Sequence, residues 1–177
     1  MKLILLLFVT LLIGCQTYQP SLQVLPPHIK KIAVKPFENK TNVFGLEELL
    51  RIGVYDELLK DGRFTVTNDI NASDGYISGE IIYYILQPIA YGENFQPTQY
   101  KLRLIINLYF VDRVNNLTLW EESNLEETLF FSAATLPGGL TEEEAKKTIV
   151  YNMAKKIYLR TIEGFGAVTG RSYKKIP

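Results

Sequence analysis

The sequence predicts an α+β fold, in which two helices pack on one face of a mainly four-stranded, mixed or antiparallel sheet. Three observations support this two-layer sandwich. The predicted elements run in the order strand, helix, several strands, helix. Residues 100–111 alternate apolar and polar side chains, as a strand with one buried face does. Residues 46–58 and 145–162 repeat apolar side chains at helical spacing, and grouped strands with few helices are typical of α+β domains.

The first fourteen residues predict a signal peptide that is removed from the mature protein. Lys2 precedes an apolar run from Leu3 to Ile13, which only Thr10 interrupts. Eleven residues in a helix rise about 16 Å, which is too short to cross a hydrocarbon core of about 30 Å. A basic start followed by a short apolar stretch and a small residue is typical of a secretory signal.

The end of this signal resembles a bacterial lipobox, because Leu12, Ile13 and Gly14 stand directly before Cys15, the only cysteine in the chain. In proteins with this motif the thiol receives a diacylglycerol, the signal is cut before the cysteine, and the new amine is acylated. More than one fatty chain gives stable anchoring, since each buried methylene contributes about 0.8 kcal/mol. The motif therefore predicts lipid attachment at Cys15, and Gln16 after it favours the outer membrane. The alternative is an ordinary signal peptide with a chance cysteine.

The mature chain divides into a tether, a domain and a tail. Residues 15–28 are mostly polar with three prolines, and predict a lipidated N-terminus followed by an extended tether. Residues 29–163 predict one domain, because nothing in the middle of the chain resembles a linker. Residues 164–177 contain three glycines and three basic residues, and predict a flexible basic tail.

The first half of the domain predicts two strands around a helix. Residues 29–34 form a β-branched run that Pro36 stops, and residues 39–44 predict a loop. Gly62 is expected to end the helix, and residues 64–67 predict a short strand. The helix between them is predicted by apolar residues at helical spacing, namely Leu46, Leu49, Leu50, Val54 and Leu58.

The second half predicts three longer strands. Residues 76–86 and 100–111 predict two of them, with a loop over residues 87–99 that contains prolines and a glycine. A turn at residues 112–116 joins the second strand to a third over residues 117–131, and antiparallel pairing is the simplest connection. One face of the second strand is apolar and is expected to be buried: Leu102, Leu104, Ile106, Leu108 and Phe110.

A second helix follows a chain break at residues 137–139. Thr141 is expected to cap it, with Glu144 three residues later completing a capping box. Its basic residues are expected to face water. The stripe expected to face the core consists of Ala145, Ile149, Val150, Met153, Ala154, Ile157 and Ile162.

The composition argues against most catalytic and metal chemistry. One cysteine and one histidine exclude an internal disulfide framework, a cysteine-cluster metal site and a multi-histidine zinc site. His28 lies in the predicted tether, where we expect a solvated side chain and no catalytic base. Equal numbers of acidic and basic residues, 19 each, argue against nucleic-acid binding. We expect no enzyme activity, no cofactor and no metal, and we expect structural roles for the clustered carboxylates Glu121, Glu122, Glu126, Glu127 and Glu142 to Glu144.

Two surface features suggest binding. Lys101 and Arg103 share a predicted strand face with Ile105 and Tyr109, and this mixture of cationic and apolar side chains suits an amphiphile with an anionic head and acyl tails. The alternative is an edge strand that charge protects from pairing. The second feature is a set of aromatic residues, some of which could form a partner surface on the outer sheet face. The set is Tyr76, Tyr83, Tyr84, Tyr91, Phe95, Tyr100, Tyr109, Trp120, Phe130 and Phe131.

A series of short motifs runs through the domain. They are LPPHIKKIAVKPFENKT (25–41), GLEE (45–48), DGRF (61–64), SGEI (78–81), VDR (111–113), LWE (119–121) and TEEEA (141–145). Their order and spacing after a lipobox resemble the LptE-related lipopolysaccharide-assembly lipoproteins, over roughly residues 25–163. Each motif by itself is weak.

The resemblance implies two helices on a four-stranded sheet and a specific partner. That partner is the large outer-membrane β-barrel of the lipopolysaccharide translocon, in whose lumen the lipoprotein sits as a plug. The resemblance also implies help in assembling the barrel, binding of lipopolysaccharide, and no catalysis. Lys101 and Arg103 are our candidates for binding the anionic head group, and this role comes from the strand face alone, because no family motif covers them.

The opening strand leaves other envelope lipoproteins as alternatives. Ile-Ala-Val-x-Pro-Phe followed by Asn-x-Thr (32–41) also resembles the curli-secretion lipoprotein and the activators of penicillin-binding proteins. An activator of a periplasmic peptidoglycan synthase needs a tether that reaches toward the wall. About 13 residues after Cys15 span at most about 45 Å, which favours a partner in the same membrane.

Overall fold

Two helices cover one face of a six-stranded mixed sheet in the computed structural model, which describes residues 25–162. The predicted two-layer α+β fold is confirmed, with six strands instead of four. The signal peptide (1–14), Cys15 and the basic tail (164–177) lie outside the described residues. The strands are β1 Lys31–Val34, β2 Glu38–Asn39, β3 Thr65–Thr67, β4 Gly75–Tyr91, β5 Pro97–Asp112 and β6 Leu117–Ser132, and the helices are α1 Leu46–Asp61 and α2 Glu142–Ile162.

The sheet has the order β3-β1-β4-β5-β6, with β2 pairing to β4 beyond the end of β1. β1 pairs in parallel with β3 and β4, whereas β4, β5 and β6 form an antiparallel meander. The predicted β5–β6 hairpin is therefore confirmed. The number of strands exceeds four because β2 and β3, with two and three residues, extend the sheet on the β1 side.

The two helices bury the faces that the sequence predicts. α1 ends at Asp61 because Gly62 adopts a left-handed φ of 70°. At the start of α2, Thr141 N donates to Glu144 Oε2 at 2.8 Å and Glu144 N donates to Thr141 Oγ1 at 3.3 Å, which is the predicted capping box. The apolar helix residues with no exposed surface are Leu46, Leu50, Val54, Leu58, Ala145, Ile149, Met153, Ala154 and Ile157.

β4 and β5 continue through most of the segment that the sequence predicts as a loop. Gln87 pairs with Lys101 and Pro88 with Tyr100, so the connection shortens to residues 92–96. β1 and β2 pair with β4 only as far as Ile81. Pro88 therefore lies on an open edge of the sheet, where its missing N–H removes no ladder bond.

A bulge in β4 changes which side chains face the helices. Ile81 pairs with Ile106 and Tyr83 with Ile105, so β4 holds one extra residue at position 82. Odd-numbered residues face the core before the bulge, and even-numbered residues face it afterwards. Tyr83 and Ile85 consequently lie on the side of the sheet that the helices do not cover.

β6 is the last strand on its side of the sheet. Lys156 Nζ donates to the backbone oxygen of Glu126 at 2.7 Å, and Leu140 N donates to the backbone oxygen of Ser132 at 2.9 Å. The pairing register between β5 and β6 shifts between Glu122 and Leu125. Asn124, which lies in this irregular stretch, adopts a left-handed φ of 58°. The edge is thus both irregular and partly covered by the chain itself.

Candidate functional site

The candidate site lies on the sheet face opposite the helices. Cross-strand pairs place Tyr83 beside Ile105, Ile85 beside Arg103 and Lys101 beside Phe130 on that face. Its half toward the β4–β5 turn is rich in exposed apolar side chains. We call this half the outer patch, and its members are Tyr83, Ile85, Ile89, Tyr91, Lys101 and Phe130.

Several members of the outer patch are unusually exposed for large apolar residues. Tyr91 is 58% and Phe130 63% exposed, and Tyr83 is 53% exposed. Phe95, in the adjoining turn, is 89% exposed. A contiguous exposed apolar surface on a folded domain is typical of an interaction site. The aromatic partner surface suggested by the sequence corresponds to these four residues, whereas Tyr84, Tyr100, Trp120 and Phe131 pack against the core.

The structure gives Lys101 and Arg103 different environments. Arg103 Nε and an Nη atom donate to the two carboxylate oxygens of Glu126 at 2.7 and 2.8 Å. This bidentate pair, followed by a hydrogen bond from Thr128, lowers the pKa of Glu126 to about 2. Lys101 Nζ lies 5.7 Å from the centre of the Phe130 ring. The charge of Arg103 is therefore balanced within the protein, and Lys101 supplies the positive charge of the outer patch.

A groove borders Lys101 on the β6 side. It has a volume of about 530 Å³, and Phe130, over which Lys101 lies, forms part of its wall. The groove joins the outer patch to the loop before α2, and its walls are both apolar and polar. The lining residues are Ile89, Gln99, Phe130, Phe131, Ser132, Gly138 and Leu140.

The alternative explanation of Lys101 and Arg103 as edge protection is wrong. β5 lies between β4 and β6 and pairs with both along its length. Its charges therefore cannot protect an open edge. Among the clustered carboxylates, Glu127 pairs with Lys156, and Glu122 Oε1 lies 3.5 Å from an Nη atom of Arg160. These contacts join β6 to α2, which fits the structural roles expected for them.

His28 keeps an exposed side chain, as the sequence suggests, but that side chain is bound to the domain. Its Nε2 atom lies 2.8 Å from Oδ2 of Asp112, whose side chain is only 1% exposed. Leu25 is buried as well. Residues 25–28 were placed in the tether because of their prolines and polarity, but the end of that segment packs against the domain.

The ion pair between Arg103 and Glu126 predicts a defined pH response. Because the folded-state pKa of Glu126 lies below its usual 4.5, the pair stabilises the fold above that pH and loses its effect as the pH falls toward about 2. In Arg103→Gln the pKa of Glu126 is expected to rise toward its usual value. NMR titration of the side-chain carboxylates measures the pKa of Glu126 in the unaltered protein and in Arg103→Gln. Glu80, paired with Lys40, is the internal control and should not move. An ordinary Glu126 pKa in the unaltered protein would contradict the ion pair.

Within residues 25–162, no group of three or more His, Cys, Asp or Glu side chains is arranged to hold a metal ion. No helix in the same part of the chain is long and apolar enough to cross a membrane.

The fold defines a class of protein: a small two-layer α+β domain in which helices cover only one face of the sheet. The chain belongs to the LptE family, described as lipopolysaccharide-assembly proteins, because the family's model matches residues 29–161. This range includes all six strands and nearly all of both helices. The resemblance inferred from the ordered motifs is thereby confirmed. No curated protein sequence matches the chain at a significant level.

Solved structures share this fold at low sequence identity. The PelC dodecamer from Paraburkholderia phytofirmans is 12% identical, with 80% of this chain and 94% of that chain covered and a TM-score of 0.51. The hypothetical protein CT253 from Chlamydia trachomatis is 9% identical, with 75% and 95% covered and a TM-score of 0.51. Protein XCC0632 from Xanthomonas campestris is 9% identical, with 82% and 86% covered and a TM-score of 0.51. At these identities the likeness concerns the fold alone.

Proposed function

We propose that this protein is a non-enzymatic outer-membrane lipoprotein that helps to assemble, and then plugs, the β-barrel that translocates lipopolysaccharide. Lipid on Cys15 anchors it, and the domain faces the periplasm or the barrel lumen. During insertion of lipopolysaccharide into the membrane, the outer patch binds the lipid. The observation that carries this proposal is the outer patch itself, where Lys101 lies over Phe130 among exposed apolar side chains on the helix-free sheet face.

The chemistry of the outer patch matches the two ends of lipopolysaccharide. Lys101 supplies an ammonium group for phosphate or carboxylate oxygens, and Ile89, Phe130 and Leu140 offer apolar surface for acyl chains. Arg103 contributes indirectly. By holding Glu126, it keeps that carboxylate from pairing with Lys101, whose charge also lowers the pKa of Glu126.

The length of the tether supports a partner in the same membrane. Leu25, the first residue that the structure describes, is buried in the domain, and about ten residues separate it from the proposed lipid. Fully extended, they reach at most about 35 Å. This is shorter than the sequence alone suggests, and it disfavours the alternative of an activator reaching a synthase near the wall.

Lys101→Ala is expected to weaken binding of purified lipopolysaccharide about tenfold, because it removes the positive charge of the outer patch. Lys35→Ala is the matched control, since Lys35 also lies over an aromatic ring, 4.3 Å from the centre of Tyr76, but outside the outer patch. Binding is measured by titration with lipopolysaccharide of defined acylation. Unchanged affinity in Lys101→Ala and in the Lys101→Ala/Arg103→Ala double variant would remove both residues from the site.

Co-purification tests the partner. A C-terminally tagged chain extracted in mild detergent is expected to bring down a large outer-membrane β-barrel. Recovery of peptidoglycan synthases in place of a barrel would favour the activator alternative.

A further inference from the structure

The turn between β4 and β5 is closed at its base. Tyr91 pairs with Pro97 where the two strands end, and Gly92 N donates to the backbone oxygen of Gln96 at 2.9 Å. Residues 92–96 make the turn, and every one of them is exposed. Because both of its ends are tied by strand pairing, the turn keeps a defined backbone shape while its side chains face solvent.

Phe95 adopts a backbone conformation that its side chain does not favour. Its φ is 57°, in the left-handed region, where a Cβ atom crowds the following carbonyl oxygen. Within residues 25–162, four non-glycine residues have a positive φ, and the other three are asparagines, which tolerate this region. Glycine would fit position 95 without strain. The turn therefore holds a phenylalanine where the backbone alone favours a smaller residue.

The Phe95 ring gains little from packing within the domain. It is 89% exposed, and in the part of the chain that the structure describes it belongs neither to the main core nor to the side chains packed against that core. One exposed apolar residue is ordinary on a protein surface, but exposure together with backbone strain is not explained by stability. The ring is kept outside at a cost to the fold, which is typical of a binding residue.

The neighbours of Phe95 indicate what kind of partner the ring fits. Glu93, Asn94 and Gln96 are exposed polar residues around it, and among the described residues no cation pairs with the Glu93 carboxylate. A bilayer suits this turn poorly, because one ring brings little apolar area and anionic headgroups repel a carboxylate. A protein pocket suits it well, since aromatic side chains that fill a pocket inside a polar rim dominate the binding energy of many interfaces.

We propose that the β4–β5 turn anchors this chain to another protein, with the Phe95 ring in an apolar pocket and the Glu93 carboxylate against a lysine or arginine at the rim of that pocket. The side chains of Asn94 and Gln96 surround the ring and exclude water from the contact. The anchor adjoins the outer patch at Tyr91, so a protein bound at the turn borders the surface proposed to bind lipid. This inference goes beyond that lipid binding and does not depend on it.

Photocrosslinking in intact cells tests the anchor. The full-length chain carries the benzophenone amino acid p-benzoylphenylalanine at position 95 or at position 44. Phe44 is the matched control, because it is 91% exposed but lies in the loop before α1 and has no left-handed φ. Irradiation is expected to join position 95 to one discrete protein, identified by mass spectrometry, with a yield about tenfold above that from position 44. Glu93→Lys in the same chain should lower this yield about tenfold.

Thermal unfolding separates binding from stability. In Phe95→Gly the midpoint is expected to stay unchanged or to rise by about 3 °C, because glycine relieves the left-handed strain but also gives the unfolded chain more freedom. The protein identified by crosslinking is expected to be lost from complexes purified through Phe95→Gly chains.

Five results would overturn the anchor. Equal yields from positions 95 and 44 would show that exposure alone explains the adduct. Adducts with lipid alone would place the turn in the bilayer, and adducts only between copies of this chain would show self-association. A yield unaffected by Glu93→Lys would remove the cationic rim, and a midpoint lowered by more than about 5 °C in Phe95→Gly would show that the ring stabilises the fold.

The identity of the adduct separates this inference from the proposed function. A protein other than an outer-membrane barrel, joined at position 95 and dependent on Glu93, would support the anchor and count against the proposed barrel partner. Unchanged lipopolysaccharide affinity in the Lys101 variants would count against the lipid site and leave the anchor standing.

Discussion

Cys15→Ala is expected to produce an unlipidated protein that is absent from the outer membrane. The reason is additive burial: each methylene in the bilayer contributes about 0.8 kcal/mol, and stable anchoring needs more than one chain. With the thiol gone, neither the diacylglycerol nor the processing that exposes the amine for acylation can follow.

Membrane fractionation together with mass spectrometry of the N-terminus measures this outcome. Gln16→Ala is the matched control, because it changes the neighbouring residue and leaves the proposed attachment atom in place. Normal sorting of Cys15→Ala to the outer membrane would refute the lipobox and restore an ordinary signal peptide with a chance cysteine.

Gly79→Ala is expected to cause a large loss of stability, about 3 kcal/mol or more. Gly79 lies in β4 where Phe37 packs directly over the strand. An added Cβ would lie 2.4 Å from the backbone oxygen of Asn107 and 2.9 Å from the Phe37 ring. Neither can yield easily, because the oxygen belongs to the central strand β5 and Phe37 is buried. Thermal unfolding followed by circular dichroism should show a midpoint lower by about 10 °C.

Gly62→Ala provides the comparison. Nothing lies within 4 Å of an added Cβ there, and the strain comes only from the left-handed φ of 70°. Its expected cost is about 1–2 kcal/mol. The prediction concerns the order of the two variants, and a Gly62→Ala protein less stable than Gly79→Ala would contradict the close packing at Phe37.

Features with a local cause were predictable from the sequence. The alternation from Leu102 to Phe110 gave the correct buried face, because a strand repeats every two residues whatever its neighbours are. Thr141 with Glu144 marked the start of α2, and Gly62 marked the end of α1, since caps depend on a few adjacent residues. The family resemblance rested on such short motifs in a fixed order.

Features that depend on register were not predictable. Pro88 suggested a loop, yet it fits a strand because β1 and β2 end before they reach it. The extra residue at position 82 reverses the faces of β4, and no local signal marks it. The contacts within the candidate site also depend on register and were not predictable. Lys101 and Arg103 were identified correctly as neighbours on one face, but the pairing of Arg103 with Glu126 follows from the alignment of β5 with β6.

His28 shows a third kind of miss. Its flanking prolines and polar residues indicated a solvated tether, and that local inference was reasonable. Its partner, Asp112, lies 84 positions later in the chain. Only the antiparallel return of β5 brings that carboxylate back to the start of β1, so the contact depends on the complete topology.

The irregular edge of β6 has a consequence for aggregation. An outermost strand of 16 residues could serve as a template for another chain, and edge-to-edge association begins at such strands. Lys156 Nζ donates a hydrogen bond to the carbonyl of Glu126, and Leu140 N donates one to the carbonyl of Ser132. The left-handed Asn124 interrupts the regular pattern of strand hydrogen bonds. These three features should keep two copies of the protein from pairing edge to edge through β6 before they bind a partner. They disfavour backbone pairing at the β6 edge, whereas β4 beyond Ile81 keeps an edge that β1 and β2 do not cover.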